Sequence, residues 1–313
     1  MAGDTEQYMK TVVSYLSVVP PSHKNSHKTE FLKRFALGVN KSGDRGLVHI
    51  GTNILDADAA IIQGWAHEGS PKTPHLMLRK NVFEHQLKNG KHSIIVDSNL
   101  FNYKDKDHPI KYLRYGMDGV FPTTANYFWD NPDPRRWQQI SKHLGIQLQD
   151  WRQNGKHILI CTQRNGGWSM KGLSVTDWLE KTVDEIKKYT DRPIIVRGHP
   201  GDKSARDYLQ SKPGRYTVST NGSILEDFKN AWATITYNSS PGVASSIEGI
   251  PAFITDPSPE VSQAYAVGNY DLSKLENPEL KDRQTWIERL AMCHWHFGEL
   301  DDGSAWKHMR QFL

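Results

Sequence analysis

A histidine and a pair of serines pose the chemical question in this chain. His199 stands in Arg197-Gly198-His199-Pro200, directly after the apolar run Ile194–Val196. Ser239 and Ser240 stand in Asn238-Ser239-Ser240-Pro241-Gly242, after the run Ala233–Tyr237. An imidazole, two hydroxyls and the free N–H groups of a helix start suit a phosphate or diphosphate. Each motif also has a plain structural reading: His-Pro as a turn, and Ser-Ser-Pro as an N-cap with Pro at the first helical position. Their setting joins them. Both follow a short apolar run, about forty residues apart, in a pattern of strands alternating with helices. Such a pattern reads as a parallel sheet, whose strand C-termini share one crevice.

A third segment belongs to the same pattern. The run Lys156–Gln163 leads into Arg164-Asn-Gly166-Gly167-Trp-Ser-Met-Lys171-Gly172. A strand followed by a glycine-rich basic loop and a helix is an arrangement that cradles phosphates. It lacks the Gly-Lys-Ser/Thr ending of a P-loop and the full Gly-x-Gly-x-x-Gly spacing, so neither ATP hydrolysis nor dinucleotide binding is supported.

These residues need elements to hold them. The second half reads as strands at Lys156–Gln163, Pro193–Arg197, Tyr216–Ser219, Ala233–Tyr237 and Ala252–Thr255. Helices are expected at Val175–Tyr189, Ala205–Gln210, Ile224–Asn230 and Val243–Glu248. That is a doubly wound, Rossmann-like α/β domain. The first half has its own αβ rhythm, with strands at Val12–Val19, Gly46–Gly51, Asp58–Trp65 and His92–Asp97 and a helix at Pro74–Lys88 stopped by Asn89-Gly90. Pro20–Lys28 reads as a polar loop, either solvated or in contact with phosphate. Asn102–Trp137 reads as loop-rich and aromatic, including Asn126–Trp129, and Trp137–Trp151 as a joining helix. The expected division is 1–150 and 151–313, the tail from Leu272 being helical and packing back.

Composition narrows the class. Hydrophobic residues make up 37% and charged ones 24% of 313 residues, a globular balance. No run approaches a membrane span, and the first residues lack a basic segment followed by an apolar core, so a cytoplasmic protein is expected. Cys161 and Cys293 make no metal site, and Cys161, ending a buried strand, reads as a packed thiol. A net charge of +4, with pI near 8.8, permits a polyanionic partner without demanding one. Ten Trp and twelve Tyr give aromatic surface for core packing and for stacking on sugars or bases.

Two αβ domains with a nucleotide-binding second half resemble the GT-B glycosyltransferases. Over 92–256 the chain resembles the capsule polysaccharide synthesis glycosyltransferases in particular. The residues are Ile158–Gln163 with its Gly-Gly loop, Ile194–Pro200 with His-Pro, Thr236–Val243 with Asn-Ser-Ser-Pro-Gly, and Gly249-Ile-Pro251. Bacterial sialyltransferases carry a similar His-Pro and Ser-Ser pair. The resemblance implies that His199, Ser239 and Ser240 contact the phosphate of a UDP- or CMP-sugar donor, with no permanently bound cofactor. Arg197, the backbone of Asn238 to Gly242, Arg164, Gly166, Gly167 and Lys171 would add donors and charge. Where the family often places a ribose-binding Glu, this chain has Ala244; Glu248 is the candidate substitute. No metal is expected, because side chains and a helix start would stabilise the leaving group.

An inverting transfer needs a carboxylate base. Asp97, ending a strand on the crevice side, is the first candidate and Asp118, at an Asp-Gly turn, the second; a retaining transfer needs neither. In size, charge and build the chain also resembles bacteriophage enzymes that glycosylate hydroxymethylated pyrimidines. On that reading Arg79, Lys80, Arg135 and Arg136 would hold double-stranded DNA, or else serve solubility. The alternatives are a surface-polysaccharide enzyme using a CMP-linked sugar, a non-catalytic nucleotide-binding module, and a sugar epimerase.

Overall fold

The computed structural model describes residues 8–23, 25–66, 70–120 and 131–313. The aromatic run Asn126–Trp129 lies outside them. The first half supplies β1 (Thr11–Tyr15), α1 (His27–Lys41), β2 (Arg45–His49), β3 (Ala59–Gln63), α2 (Pro74–Lys88), β4 (His92–Asp97), β5 (Tyr112–Met117) and α3 (Pro134–Leu144). There follow β6 (His157–Cys161), α4 (Val175–Ile186), β7 (Ile194–Arg197), α5 (Ala205–Tyr208), β8 (Thr217–Val218), α6 (Ile224–Phe228), β9 (Ala231–Thr236), α7 (Pro241–Ile247) and β10 (Ala252–Ile254). The tail holds α8 (Gln284–Ala291), β11 (His294–His296), α9 (Phe297–Asp301) and α10 (Ser304–Met309).

These strands make two sheets. One has the order β11-β5-β4-β3-β1-β2, the other β10-β9-β6-β7-β8. The second is parallel throughout, as its buried apolar strands require. In the first, β2, β1, β3 and β4 run parallel, β5 turns antiparallel to β4, and β11 pairs antiparallel with β5.

Three elements differ from the sequence expectation. Tyr112–Met117 is a strand buried along its whole length, not a loop. His294–His296 is a strand in a tail read as helical. His27–Lys41 is a helix, capped by Ser26 Oγ accepting from Lys28 N at 3.2 Å, so it takes the last two residues of the expected loop Pro20–Lys28 and a following stretch for which no element was expected. It packs Phe31, Leu32 and Phe35 on the first sheet, an apolar stripe at helical spacing.

Apolar side chains tie the two sheets together. Leu100 and Phe101 after β4, Trp137 and Ile140 of α3, Val243 and Ile247 of α7, and Trp286 and Ile287 of α8 form one buried cluster. Each such side chain stabilises the packed state by about 1.5–3 kcal/mol. The cleft therefore stands on a shared core.

Candidate functional site

The strand ends of the second sheet meet at a cavity of about 430 Å³. Its wall includes Thr162 after β6, His199 after β7, and Ser239 and Ser240 after β9; the segment 99–106, which follows β4 of the other sheet, closes it. The motifs separated in sequence thus converge, as parallel strand order requires.

His199 is half-buried and well oriented. Its N–H donates to Thr162 Oγ1 at 3.2 Å, and its Nδ1 accepts from the Gly201 N–H at 3.0 Å. A ring that accepts at Nδ1 carries its neutral-state proton on Nε2, so His199 offers an N–H donor. Burial lowers its pKa, Asp202 opposes that shift, and Arg164 and Lys106 reinforce it. Asp202, which the sequence reading passed over, anchors the neighbourhood. Although burial opposes its charge, hydrogen bonds from the Tyr208 hydroxyl, the Asn165 N–H and Ser204 hold it down at about 2. The Asn165 bond, 2.9 Å, ties the glycine-rich loop to the His-Pro turn.

The Ser239 hydroxyl is buried and has no protein partner among the described residues. Ser240 is exposed at the start of α7, and its side chain caps nothing. Neither hydroxyl is spent on a protein partner, and of the two residues Ser240 is the exposed one. The backbone is less generous than expected. The Asn238 N–H is taken by Gln163 Oε1 at 2.8 Å and the Gly242 N–H by the Ser239 carbonyl at 3.2 Å. A Cβ at Gly242 would sit in ordinary contact, 3.4 Å from Ala264 Cβ, so packing alone does not demand glycine there.

Several nominated side chains hold the frame instead. Arg197 lines the cavity, but its guanidinium pairs with buried Asp227 at 2.8 Å and donates to the carbonyls of Asn221 and Gly222. It shapes the wall at Gly222 and Ser223. Lys171 pairs with Asp256, whose side chain is fully buried, at 2.9 Å. The Asn238 amide donates to the same Asp256 at 2.9 Å and to the Ser169 carbonyl at 3.0 Å. Gly166, at φ +73°, and Gly167, whose N–H bonds the Arg164 carbonyl at 3.0 Å, close a tight turn. Arg164 is exposed and has no carboxylate within ion-pair distance among the described residues. Glu248 accepts from the Tyr103 hydroxyl at 2.7 Å and faces Lys104 at 3.5 Å, so it links the lobes. Burial, then the Glu248 charge, pushes the Tyr103 phenol up. Ala244 does line the cavity, where a longer acidic side chain would reach the ligand.

The two candidate bases part company. Asp97 ends β4 on the crevice side, with Oδ2 bonded to Arg114 at 2.9 Å and Oδ1 to the Ser98 N–H at 2.7 Å. Asp118 is a correction. It follows β5, which runs the other way, so it lies beside the start of β4. Its carboxylate accepts from the Ser93 N–H at 2.8 Å and faces His92 Nδ1 at 2.7 Å. Four strand residues, about 13 Å, separate that edge from Asp97. At φ +60°, Asp118 shapes a turn.

Of the four cations nominated for DNA, three are paired with carboxylates and the fourth is buried. Arg79 is nine-tenths buried. Arg136 pairs with Glu299 and stacks 3.9 Å over the Trp295 ring. Lys80 pairs with Glu84 at 3.7 Å and Arg135 with Asp133 at 2.8 Å. In contrast, Lys104 and Lys106 line the cavity. They went unnoticed in a loop-rich stretch; their signal was their place directly after a crevice strand. Cys161 is a packed thiol, which burial pushes up to about 12. Among the described residues no group of three His, Cys, Asp or Glu side chains could hold a metal ion, and no helix is long and apolar enough to cross a membrane.

No protein-family model matches the chain, and no curated protein matches it in sequence. Solved structures do. The chain is similar to the β-Kdo 2,4 transferase of Thermosulfurimonas dismutans KpsC, with TM-score 0.56, 13% identity, and coverage of 91% of this chain and 90% of that one. The β-Kdo 2,7 transferase of the same protein matches with TM-score 0.50 and 13% identity over 97% of this chain and 100% of that one. At such identity the likeness concerns the fold alone, and with two Rossmann-like sheets across a shared cleft that fold is GT-B.

Proposed function

We propose that the protein transfers a sugar from a nucleotide-activated donor to an acceptor hydroxyl. The observation that carries this reading is the cavity at the ends of β6, β7 and β9, with an oriented imidazole and two unspent hydroxyls on its wall. Its volume suits a nucleotide. In the reaction the acceptor oxygen attacks the anomeric carbon, and the bond from that carbon to the donor phosphate breaks with its electron pair leaving on phosphate. His199 Nε2–H and the Ser239 and Ser240 hydroxyls donate to the departing oxygens, and Lys106 adds positive charge. Asp97 takes the acceptor proton in an inverting transfer. Its oxygens each accept one bond and keep a further acceptor site. With Ala244 in place of a carboxylate, the wall offers no acidic contact to the ribose at that position.

We favour a saccharide acceptor over a hydroxymethylated pyrimidine in DNA. Arg136, Lys80 and Arg135 are paired with carboxylates, and Arg79 is sunk inside the crevice rim where a duplex backbone does not reach, so the four side chains form no DNA-binding surface.

A thermal-shift panel of UDP, CMP, GDP and their sugars tests the proposal. A true donor nucleotide at ~100 times its dissociation constant stabilises by about 2.7 kcal/mol. No response to any nucleotide overturns it. Hydrolysis of a nucleotide sugar that His199→Ala abolishes separates an enzyme from a binding module.

A further inference from the structure

Taking a cation out of water without a counter-charge costs several kcal/mol, and an anion that enters beside it recovers much of that cost. The crevice rim of the first sheet holds such cations. Arg79 reaches from α2 to the ends of two adjacent strands. Its Nε donates to the Val18 carbonyl, just past β1, at 3.0 Å, and its Nη2 to Gln63 Oε1, at the end of β3, at 2.9 Å. Both partners are neutral. β4 is the next strand over, with Gln63 opposite Val96, so Asp97 borders the same spot. Lys28 stands in the first turn of α1 over this rim, partly buried, its Nζ 3.5 Å from His23 Nδ1. Among the described residues no carboxylate lies within ion-pair distance of Arg79 or Lys28. Asp97 is the acidic group whose charge reaches both, and it already pairs with Arg114 at 2.9 Å. Three cations therefore share one carboxylate. Burial pushes the Arg79 guanidinium down to about 10, against the pull of Asp97. Burial also lowers Lys28, with Arg79 and, from across the cleft, Arg164 adding to the shift.

We propose that the ends of β1, β3 and β4 form an anion subsite for the acceptor, in which a carboxylate or phosphate on the sugar sits between Lys28 and Arg79. The subsite belongs to the sheet opposite His199, Ser239 and Ser240, so it is separate from the donor's leaving phosphate. An acidic group held there sets an adjacent hydroxyl beside Asp97. The word acceptor rests on the glycosyl-transfer reading; the anion subsite itself does not.

The test is a calorimetric titration of the full chain with two saccharides, acidic tetragalacturonate and neutral maltotetraose. Tetragalacturonate binds at least tenfold more tightly, and the preference falls as salt rises from 50 to 300 mM, less steeply than between fully exposed charges. Lys28→Gln removes most of the preference; Arg79→Gln does the same if circular dichroism shows it folded, and Lys28→Gln decides if it is not. His199→Ala keeps the preference. Equal binding of the two saccharides, undetectable binding included, overturns the proposal. So does a preference that survives Lys28→Gln, or one that His199→Ala abolishes, which would put the anion in the nucleotide cavity. A chain that selects tetragalacturonate through Lys28 yet is stabilised by no nucleotide keeps the subsite and loses the transferase.

Discussion

The two rims of the cleft treat charge in opposite ways. At the ends of β6, β7 and β9 the cations and amides are spent on the protein: Arg197 on Asp227, Lys171 on Asp256, Asn238 on Asp256 and Ser169. What is left unspent at those strand ends is an imidazole N–H, two hydroxyls and, on the loop after β6, the exposed Arg164. At the ends of β1, β3 and β4 the cations Arg79 and Lys28 have neutral partners or shared ones. The lesson is that a basic residue beside a phosphate motif is not thereby a phosphate ligand. Its partner decides.

This contrast can be broken experimentally, starting with the largest effect. Asp97→Asn removes the proposed base and should lower kcat about 10²- to 10⁴-fold; because it also leaves Arg114 without its carboxylate, the rate is compared at a temperature where circular dichroism shows the variant folded. A retained rate would show that the first rim binds without doing chemistry. His199→Ala should lower kcat/KM about 10²- to 10³-fold, the effect of losing one oriented donor to a developing charge. Steady-state kinetics on any donor found by thermal shift reads both.

The next prediction concerns stability. Arg197→Met leaves Asp227, almost wholly buried, without its ion-pair partner, and should cost about 3–5 kcal/mol in urea unfolding. Ser219 and Asn221 also bond Asp227, so the lower end of that range is expected.

Acid stability probes the support beneath the first rim. His294 is fully buried, its Nε2 accepting from the Leu100 N–H at 3.2 Å and its Nδ1 donating to the Leu290 carbonyl at 2.7 Å. Burial depresses its pKa from 6.5 to about 3. The unfolded chain therefore binds this proton at a higher pH than the folded one, and stability falls as pH drops below 6.5. The loss is about 1.4 kcal/mol per unit and levels off near pH 3. Unfolding of His294→Gln at pH 7 and pH 5 should show a shallower dependence than the parent protein; equal slopes would refute the assignment.

The smallest effect has the most telling sign. Lys28→Gln relieves repulsion from Arg79, so stability should stay within about 1 kcal/mol of the parent or rise above it. Removing a cation would then destabilise one rim and spare the other. A large loss in both would erase the distinction drawn here.

Much of the second sheet was legible in the sequence, because each strand is a short apolar run buried on both faces. Lys156–Gln163 as expected and His157–Cys161 as found differ only at their edges. Tyr112–Met117 was hidden because Arg114 and Gly116 interrupt its apolar character, and one of its two partner strands is nearly two hundred residues away. That missed strand also misplaced Asp118: without a reversed β5, an Asp-Gly turn after β4 looks like a crevice turn. At the donor rim, residue types and strand ends located His199, Ser239 and Ser240. Nothing in the residue types told Lys171 or Arg197, tied to buried carboxylates, from Arg164, which stays exposed.

The pairing of β11 with β5 bears on the order in which this polypeptide can assemble. The first sheet begins at Thr11, yet its outer strand is residues His294–His296, and Trp306 bonds back to Asp44. At ~5–20 residues per second, a ribosome would take roughly 9–35 s to make the stretch from the end of β5 to β11. During that time β5 waits with an unpaired edge while every strand of the later sheet is already made. Synthesis thus favours the later lobe as the earlier to mature, and leaves nascent β5 the segment most in need of shielding.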